Sequence, residues 1–462
     1  MRLGLSRIAA LIVAPGVFAA AAFADETPQT SDREKKLEKR VEDLERQLAE
    51  VNRRLAERGA DASGDELEKR VSELEKVTKK DKDGLFAYWN NGIRLDSASG
   101  AFKLRIGGRL QSDWSWFWHA SGVEEETGQE IEAGGEFRRA RLHVGGTIYK
   151  NVEFMNEFDF AGGTTKFRDV WAAVNVECLG RVQVGSMKEP FGLEEQVSDL
   201  FINQIERHSP SEAFAPSYNT GFMVSNTCAD QRVAWAVGVF RDANDAGNDV
   251  GNTASGEYNV TGRVTGRPYV ADEGKRFLHV GGAASLREPS GESVTFKAHP
   301  ELHLAPELVN TGPLAADEVR LYEAEAAFVS GPLHCEAEYY MTEVAGAGAG
   351  HDATFTGWAA QAGWFLTGES RPYKADNGTF GRVGPARNYD GEGGAGAWEL
   401  VGRYSALDLN DDSVQGGHME AVSAGVNWYL NPNTKVMLDW VHARVVDLGS
   451  LNGLVMRFQV DF

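Results

Sequence analysis

Leu454-Val455-Met456-Arg457-Phe458-Gln459-Val460-Asp461-Phe462 is the stretch on which the reading of this chain turns. Leu454, Met456, Phe458, Val460 and Phe462 share one face of a strand whose side chains alternate, and Arg457, Gln459 and Asp461 share the other. An aromatic last residue on such a strand looks like the assembly signal of outer-membrane proteins, so Phe462 is expected to engage the barrel-assembly machinery. Working back from there, the same period-two pattern recurs. Phe102, Leu104, Ile106 and Leu110 oppose Lys103, Arg105 and Arg109, and the alternation runs on through Trp114, Trp116 and Trp118. Val152, Phe154, Phe158 and Phe160 oppose Glu153, Glu157 and Asp159, while Ala424, Val426, Trp428 and Leu430 oppose Ser423 and Asn427. Apolar residues outward, charges inward and aromatics at the interface suit a lipid-exposed wall around a wet lumen.

About sixteen such segments are counted, an even number of the kind bacterial barrels favour. Their lengths lie near the ~9–11 residues that cross a bilayer obliquely, which favours a barrel over a soluble sandwich of short strands. The expected fold is therefore all-β, a transmembrane antiparallel barrel over 85–462. Asn431-Pro432-Asn433 reads as a tight turn. Three long polar insertions, Ser121–Gly135, Asp242–Gly256 and Asp376–Gly396, read as outer loops.

The front of the chain differs in character. Arg2 and Arg7, the apolar stretch from Ile8 to Ala22 and the small-x-small site Ala22-Phe23-Ala24 mark residues 1–24 as a signal peptide. Leu37, Val41, Leu44, Leu48, Val51 and Leu55 form a heptad seam, resumed by Leu67, Val71 and Leu74 after a Gly-containing break. So narrow a stripe buries little alone, which predicts a self-associating periplasmic coiled coil over 32–80.

The formal net charge is −21, from 68 acids and 47 bases, and no basic cluster stands out, which argues against nucleic acid as a partner. Residues 1–84 hold 18 acids and 17 bases, leaving the barrel 50 acids and 30 bases. Cys178, Cys228 and Cys335 match no disulfide framework or metal spacing, although a Cys178–Cys228 bridge is open. G-x-S-x-G and H-E-x-x-H are absent, and the calcium-loop start at Asp242 has Ala246 and Thr253 where oxygen ligands belong, so neither an enzyme, a cofactor nor a metal is expected.

Several ordered blocks resemble the phosphate-selective porin O and P family. They are Phe137-Arg138-Arg139-Ala140-Arg141-Leu142, Lys188-Glu189-Pro190-Phe191-Gly192-Leu193-Glu194, and Ile205-Glu206-Arg207 followed by Ala213-Phe214-Ala215-Pro216. Phe365–Tyr373 and Gly396-Ala397-Trp398-Glu399-Leu400 complete the set. The resemblance implies a homotrimer of sixteen-stranded barrels in the outer membrane and its lipid, each narrowed by an inward loop after the fifth strand. Here that loop would be about 189–219. Small anions such as phosphate or small carboxylates would pass by stepping between weak cationic sites, for which arginine's planar fork is well suited. Lys103, Arg105, Arg109, Arg139, Arg141, Arg181, Lys188 and Arg207 are the candidate pore-lining residues. Each has an alternative as a lumen salt bridge with Asp113, Glu157 or Asp169. An envelope tether spaced by the coiled coil, or a channel for cations or sugars, are the other functions the sequence permits.

Overall fold

The structure, a computed structural model, describes residues 84–462 except 129, 249–256, 290–291, 348–350 and 413. The expected signal peptide and coiled coil lie outside the described residues. Leu85–Phe462 fold as one unit.

Eighteen strands make up one sheet. A hairpin of β1 (Leu85–Trp89) and β2 (Ile93–Ser97) comes first. It leads into β3 (Phe102–Trp118), β4 (Gly134–Ile148), β5 (Val152–Asp159), β6 (Lys166–Val176), β7 (Gly180–Lys188) and β8 (Tyr218–Cys228). Then follow β9 (Val233–Arg241), β10 (Asn259–Ala271), β11 (Arg276–Arg287), β12 (Glu318–Ser330) and β13 (Leu333–Ala345). The last are β14 (Ala353–Phe365), β15 (Ala397–Asp411), β16 (Val414–Asn431), β17 (Thr434–Val445) and β18 (Gly449–Asp461). From β3 onward each strand is antiparallel to the next, and β18 returns to pair with β3, Asp461 opposite Arg109 and Asn452 opposite Trp118. The sheet thus closes into a sixteen-stranded barrel, with the hairpin outside the ring. Closure leaves no open edge in the ring, as hydrocarbon demands.

The wall reads as the alternation predicts. Along β12, exposed Tyr322, Ala324, Ala326 and Phe328 interleave with buried Leu321, Glu323, Glu325 and Ala327. Trp114, Trp116, Trp358 and Trp364 stand exposed on the outer face. Trp398 and Trp428 stack with ring centroids 5.1 Å apart, and both indoles donate to the Ala395 carbonyl. That pairing gives each ring an apolar body and one satisfied polar edge, the balance an interfacial aromatic needs. Cys178, Cys228 and Cys335 are free and exposed, so the Cys178–Cys228 bridge does not form.

The seam is closed by the residues that opened the sequence argument. Phe462 donates its amide to the Gly108 carbonyl at 3.0 Å and accepts from the Gly108 amide at 2.8 Å. Where β18 ends, β2 takes up the remaining edge of β3, with Ile93 opposite Ile106 and Asp96 opposite Lys103. Gly107 permits this junction, because a Cβ there would collide with the Phe462 carbonyl and the His143 ring. Gly107→Val is therefore expected to lower the yield of refolded barrel severalfold in gel-shift assays of heat modifiability, while an unchanged yield would show that the seam tolerates bulk.

Strand direction fixes which connections share an end. The connections after β4, β6, β8, β10, β12 and β16 are short, and the one after β14, residues 366–396, emerges at that same end. The expectation that Asp376–Gly396 is an outer loop is thus overturned. The segment turns back into the barrel, where Arg371 pairs with Glu336 of β13 at 2.7 Å and Tyr373 hydrogen-bonds His279 of β11 at 2.6 Å. From the opposite end the connections 189–217 and 288–317 also fold inward. Phe191, Ile205 and Phe214 from the first pack with Phe296 and Leu302 from the second against Tyr340, Phe355 and Met437 of the inner wall. Leu193, Val197 and Ile202 meet Phe277, Val329 and Phe380, which joins the first inward connection to the 366–396 segment. The β12–β17 side of the lumen is thus filled, and across from it the inward Gln111, Asp113, Arg139, Arg141, Glu157 and Asp159 of β3–β5 are buried as well.

Candidate functional site

The ladder at β7 ends because Pro190 has no amide to donate and Gly192 adopts φ 69°. A Cβ on Gly192 would lie 2.7 Å from the Tyr340 hydroxyl, so a glycine lets the chain press onto the wall as it turns inward. Two short helices follow, α1 (Leu193–Gln196) and α2 (Ser209–Phe214). His208 caps α2, its Nδ1 accepting the Ser211 amide at 3.1 Å, with Pro in the first turn. With Nδ1 accepting, Nε2 carries the proton and donates to Glu338 at 2.9 Å.

Between the helices, Asp199 meets three guanidinium groups: Arg109 at 2.6 Å, Arg139 at 3.0 Å and Arg141 at 3.1 Å. Register places them there, since Arg109 lies directly opposite Arg141 and Gln111 opposite Arg139 across β3–β4. Like charges facing each other on one face repel, so the wall requires anions at this level. Glu157 supplies one, 2.6 Å from Arg109 and 3.1 Å from Arg141, and Asp159 another at 2.7 Å from Arg141. Burial pushes the Asp199 carboxyl up, but Arg109, Arg141 and Arg139 together hold it well below the usual carboxylate range.

A bulge between Gln111 and Ser112 turns Arg138 inward as well as Arg139. Arg138 makes a bidentate pair with Glu206, both contacts at 3.0 Å. Fully buried Arg457 of β18 grips Asp113 through Nε at 2.7 Å and Nη2 at 2.6 Å, and reaches Glu206 at 2.7 Å. The inward connection is thereby tied to the first, second and last strands of the ring. Against burial, Arg138 and Arg457 hold the Glu206 carboxyl well below its ordinary value.

Further cations lie along this wall and its inward connection. Lys188 and Arg207 share the single carboxylate of Glu195, each at 3.1 Å. Arg181 lies 3.2 Å from Glu153 and 4.4 Å above the Trp171 ring, and a quarter of its side chain remains exposed. Toward the short-turn end, Arg105 sits directly opposite Arg94 of β2. Arg94, Arg382 and Arg109 act on it as like charges, with Asp461 as an acid. Lys374 and Arg382 lie 5.0 Å and 5.2 Å over the ring of Phe201. Among the described residues, neither Arg105 nor exposed Lys103 forms an ion pair.

Of the eight candidate lining residues, Arg109, Arg139, Arg141, Arg181, Lys188 and Arg207 are ion-paired, as the salt-bridge alternative describes for Arg109 and Arg141 with Glu157. Asp113 takes its partner from Arg457 instead, and Asp169 receives the Trp171 indole N–H at 3.0 Å. Arg94, Lys374, Arg382 and Asp199 escaped the sequence reading. Alternation across a hairpin placed before the first full strand could have flagged Arg94. No local signal points to Asp199, whose position depends on a connection folding across the lumen.

A family model described as "Phosphate-selective porin O and P" matches residues 104–462. Porin O of Pseudomonas aeruginosa is 27% identical over 401 residues, covering 78% of this chain and 87% of that protein. An uncharacterized protein of Caulobacter vibrioides is 29% identical over 351 residues, 74% and 68% of the two chains. Among solved structures, an anion-selective porin from Comamonas acidovorans superposes with a TM-score of 0.50 at 12% identity, over 78% of this chain and all of that one. OprB of Pseudomonas putida gives 0.50 at 8% identity, over 78% of this chain and 94% of its own. These last two are likenesses of fold.

Proposed function

The chain belongs to the phosphate-selective porin O and P family, and from that premise we propose that it works as a trimeric outer-membrane porin through which small anions, such as phosphate or small carboxylates, diffuse passively. The observation that carries this reading is the series of cations along the lumen. Arg105, Lys103 and Arg181 lie on the β3–β8 wall with Lys188 and Arg207 beside the inward connection, and Arg94, Lys374 and Arg382 extend the series toward the short-turn mouth. On the opposite side the inward glutamates of β12 and β13 are covered. Glu323, Glu325, Glu336 and Glu338 on β12 and β13 are each at most 6% exposed, covered by the inward connections. A passing anion meets arginines that bind it in pairs of hydrogen bonds, and those already engaged by an acid, such as Arg181 and Arg207, release it again.

Purified protein in planar bilayers is expected to insert in triplets of equal conductance steps, and phosphate added to chloride-carrying channels should reduce the current. Folded protein that gives no conductance would sink the proposal. Arg105→Ala is the mild test of the lining. It removes an unpaired cation and orphans no acid, so a charge worth about 0.5–1 kcal/mol should lower the anion-to-cation permeability ratio about two- to fivefold with the fold unaffected.

A further inference from the structure

Opposite the arginine wall, β12 and β13 bring Glu323, Glu325 and Glu338 together, one carboxylate oxygen of each lying within 4.8 Å of the other two. All three are buried, at 6%, 4% and 4% exposure. The register makes this unavoidable, with Glu325 directly opposite Glu338, and Glu323 two residues along the same inner face and opposite Tyr340. Carboxylates so placed in a dry interior need compensation. Two of them have it. Glu325 receives Arg263 through Nε at 3.0 Å and Nη2 at 2.6 Å, and meets His279 Nε2 at 2.8 Å. Glu338 receives the amides of Leu193 at 2.7 Å and Glu194 at 3.1 Å, the Tyr340 hydroxyl at 2.9 Å and His208 at 2.9 Å. Glu323 has nothing comparable: both its oxygens are buried, and among the described residues no donor reaches either one.

We propose that Glu323, Glu325 and Glu338 form a binding site for a divalent cation of the calcium class. Three atoms no farther than 4.8 Å apart leave a point within about 2.8 Å of each, and a shift of a few tenths of an ångström brings them to the ~2.3–2.6 Å of a calcium–oxygen bond. An all-oxygen, triply acidic set favours a hard cation over zinc or copper, which seek nitrogen and sulfur. Calcium also accepts irregular geometry, as is needed where Glu325 and Glu338 already hold other donors. Those donors, Arg263, His279, Tyr340 and the Leu193 and Glu194 amides, fix the orientation of two ligands, the supporting role that outer groups play around metals. Glu323 brings two unpartnered oxygens to the site. A proton shared between Glu323 and Glu325 is the rival way to relieve the charge, but it satisfies one Glu323 oxygen and leaves the other unpaired. Because Glu338 also holds the start of α1, the ion would anchor the inward connection to the wall.

The test uses full-length protein refolded in detergent without lipopolysaccharide, stripped with chelator and titrated with calcium chloride, beside the Glu323→Gln variant. Wild-type protein should bind one calcium ion per chain and unfold at higher temperature when it is present. Glu323→Gln should retain the heat-modifiable barrel and bind at least tenfold more weakly. Absence of any calcium-dependent shift in the wild type would overturn the site. An equal shift in the variant would overturn it too, by placing the binding on other carboxylates. A wild-type stability that responds to pH but not to calcium would assign the cluster to the shared proton and likewise reject the metal.

Discussion

Replacing Arg109 and Arg141 together with alanine is expected to invert the ion preference of the channel rather than merely weaken it. In the intact protein, three guanidinium groups face Asp199, Glu157 and Asp159, so the level is formally neutral. The double substitution leaves those three acids against Arg139, with Arg168 3.7 Å from Asp159 as the remaining neighbour. Two unit charges lost at the depth of the inward connection change the potential felt by a passing ion by about 2 kcal/mol or more at an effective dielectric constant of ~20. That corresponds to a roughly thirtyfold or larger drop in the chloride-to-potassium permeability ratio, enough to cross unity. Asp199→Asn should move the ratio the other way, because it leaves one guanidinium charge without its carboxylate. Zero-current potentials across planar bilayers measure both, and a double variant that keeps the wild-type ratio would show that ions do not pass this level.

The second large effect concerns what holds the constriction in place. Arg457→Ala strips buried Asp113 of its guanidinium partner and leaves Glu206, 13% exposed, with Arg138 alone. Breaking a buried pair from one side costs about 3–5 kcal/mol, because the remaining charge, here that of Asp113, stays buried and unpaired. The sixteen-stranded ring should survive, since Val455–Gln459 keep their ladder to β3 and β17. The connection 189–217 should come loose. The expected readouts are larger, noisier single-channel conductance and faster proteolysis of that segment. In an Asp113→Asn, Glu206→Gln background the same arginine substitution should cost far less; an equal penalty there would assign the effect to packing instead of charge.

The barrel was legible in the sequence because a strand in such a wall must alternate, and the outward residues of β3 and β18 do so, broken on β3 by Gly108 and Ser112. Arg109, Arg139 and Arg141 were legible for the same reason, inward position following from parity. The bulge beside Ser112 breaks that parity, and Arg138 could not be placed inside without knowing its register. The segment 366–396 was misplaced because length alone was read as a mark of an outer loop, whereas end is set by strand count: an even number of barrel strands precedes it. Its Arg371, Tyr373 and Phe380 find their partners on β11 and β13, contacts that no local pattern encodes. Asp199 is the extreme case, because an exposed-looking acid between two short helices becomes the shared counter-ion of three arginines.

The zero-current potential of the wild-type channel in a tenfold potassium chloride gradient tests the central claim most directly. The arginine-lined wall and the covered acids predict a potential of the sign set by chloride, with a permeability ratio for chloride over potassium well above one. A potential of the sign set by potassium would contradict the account and return the function to a cation channel.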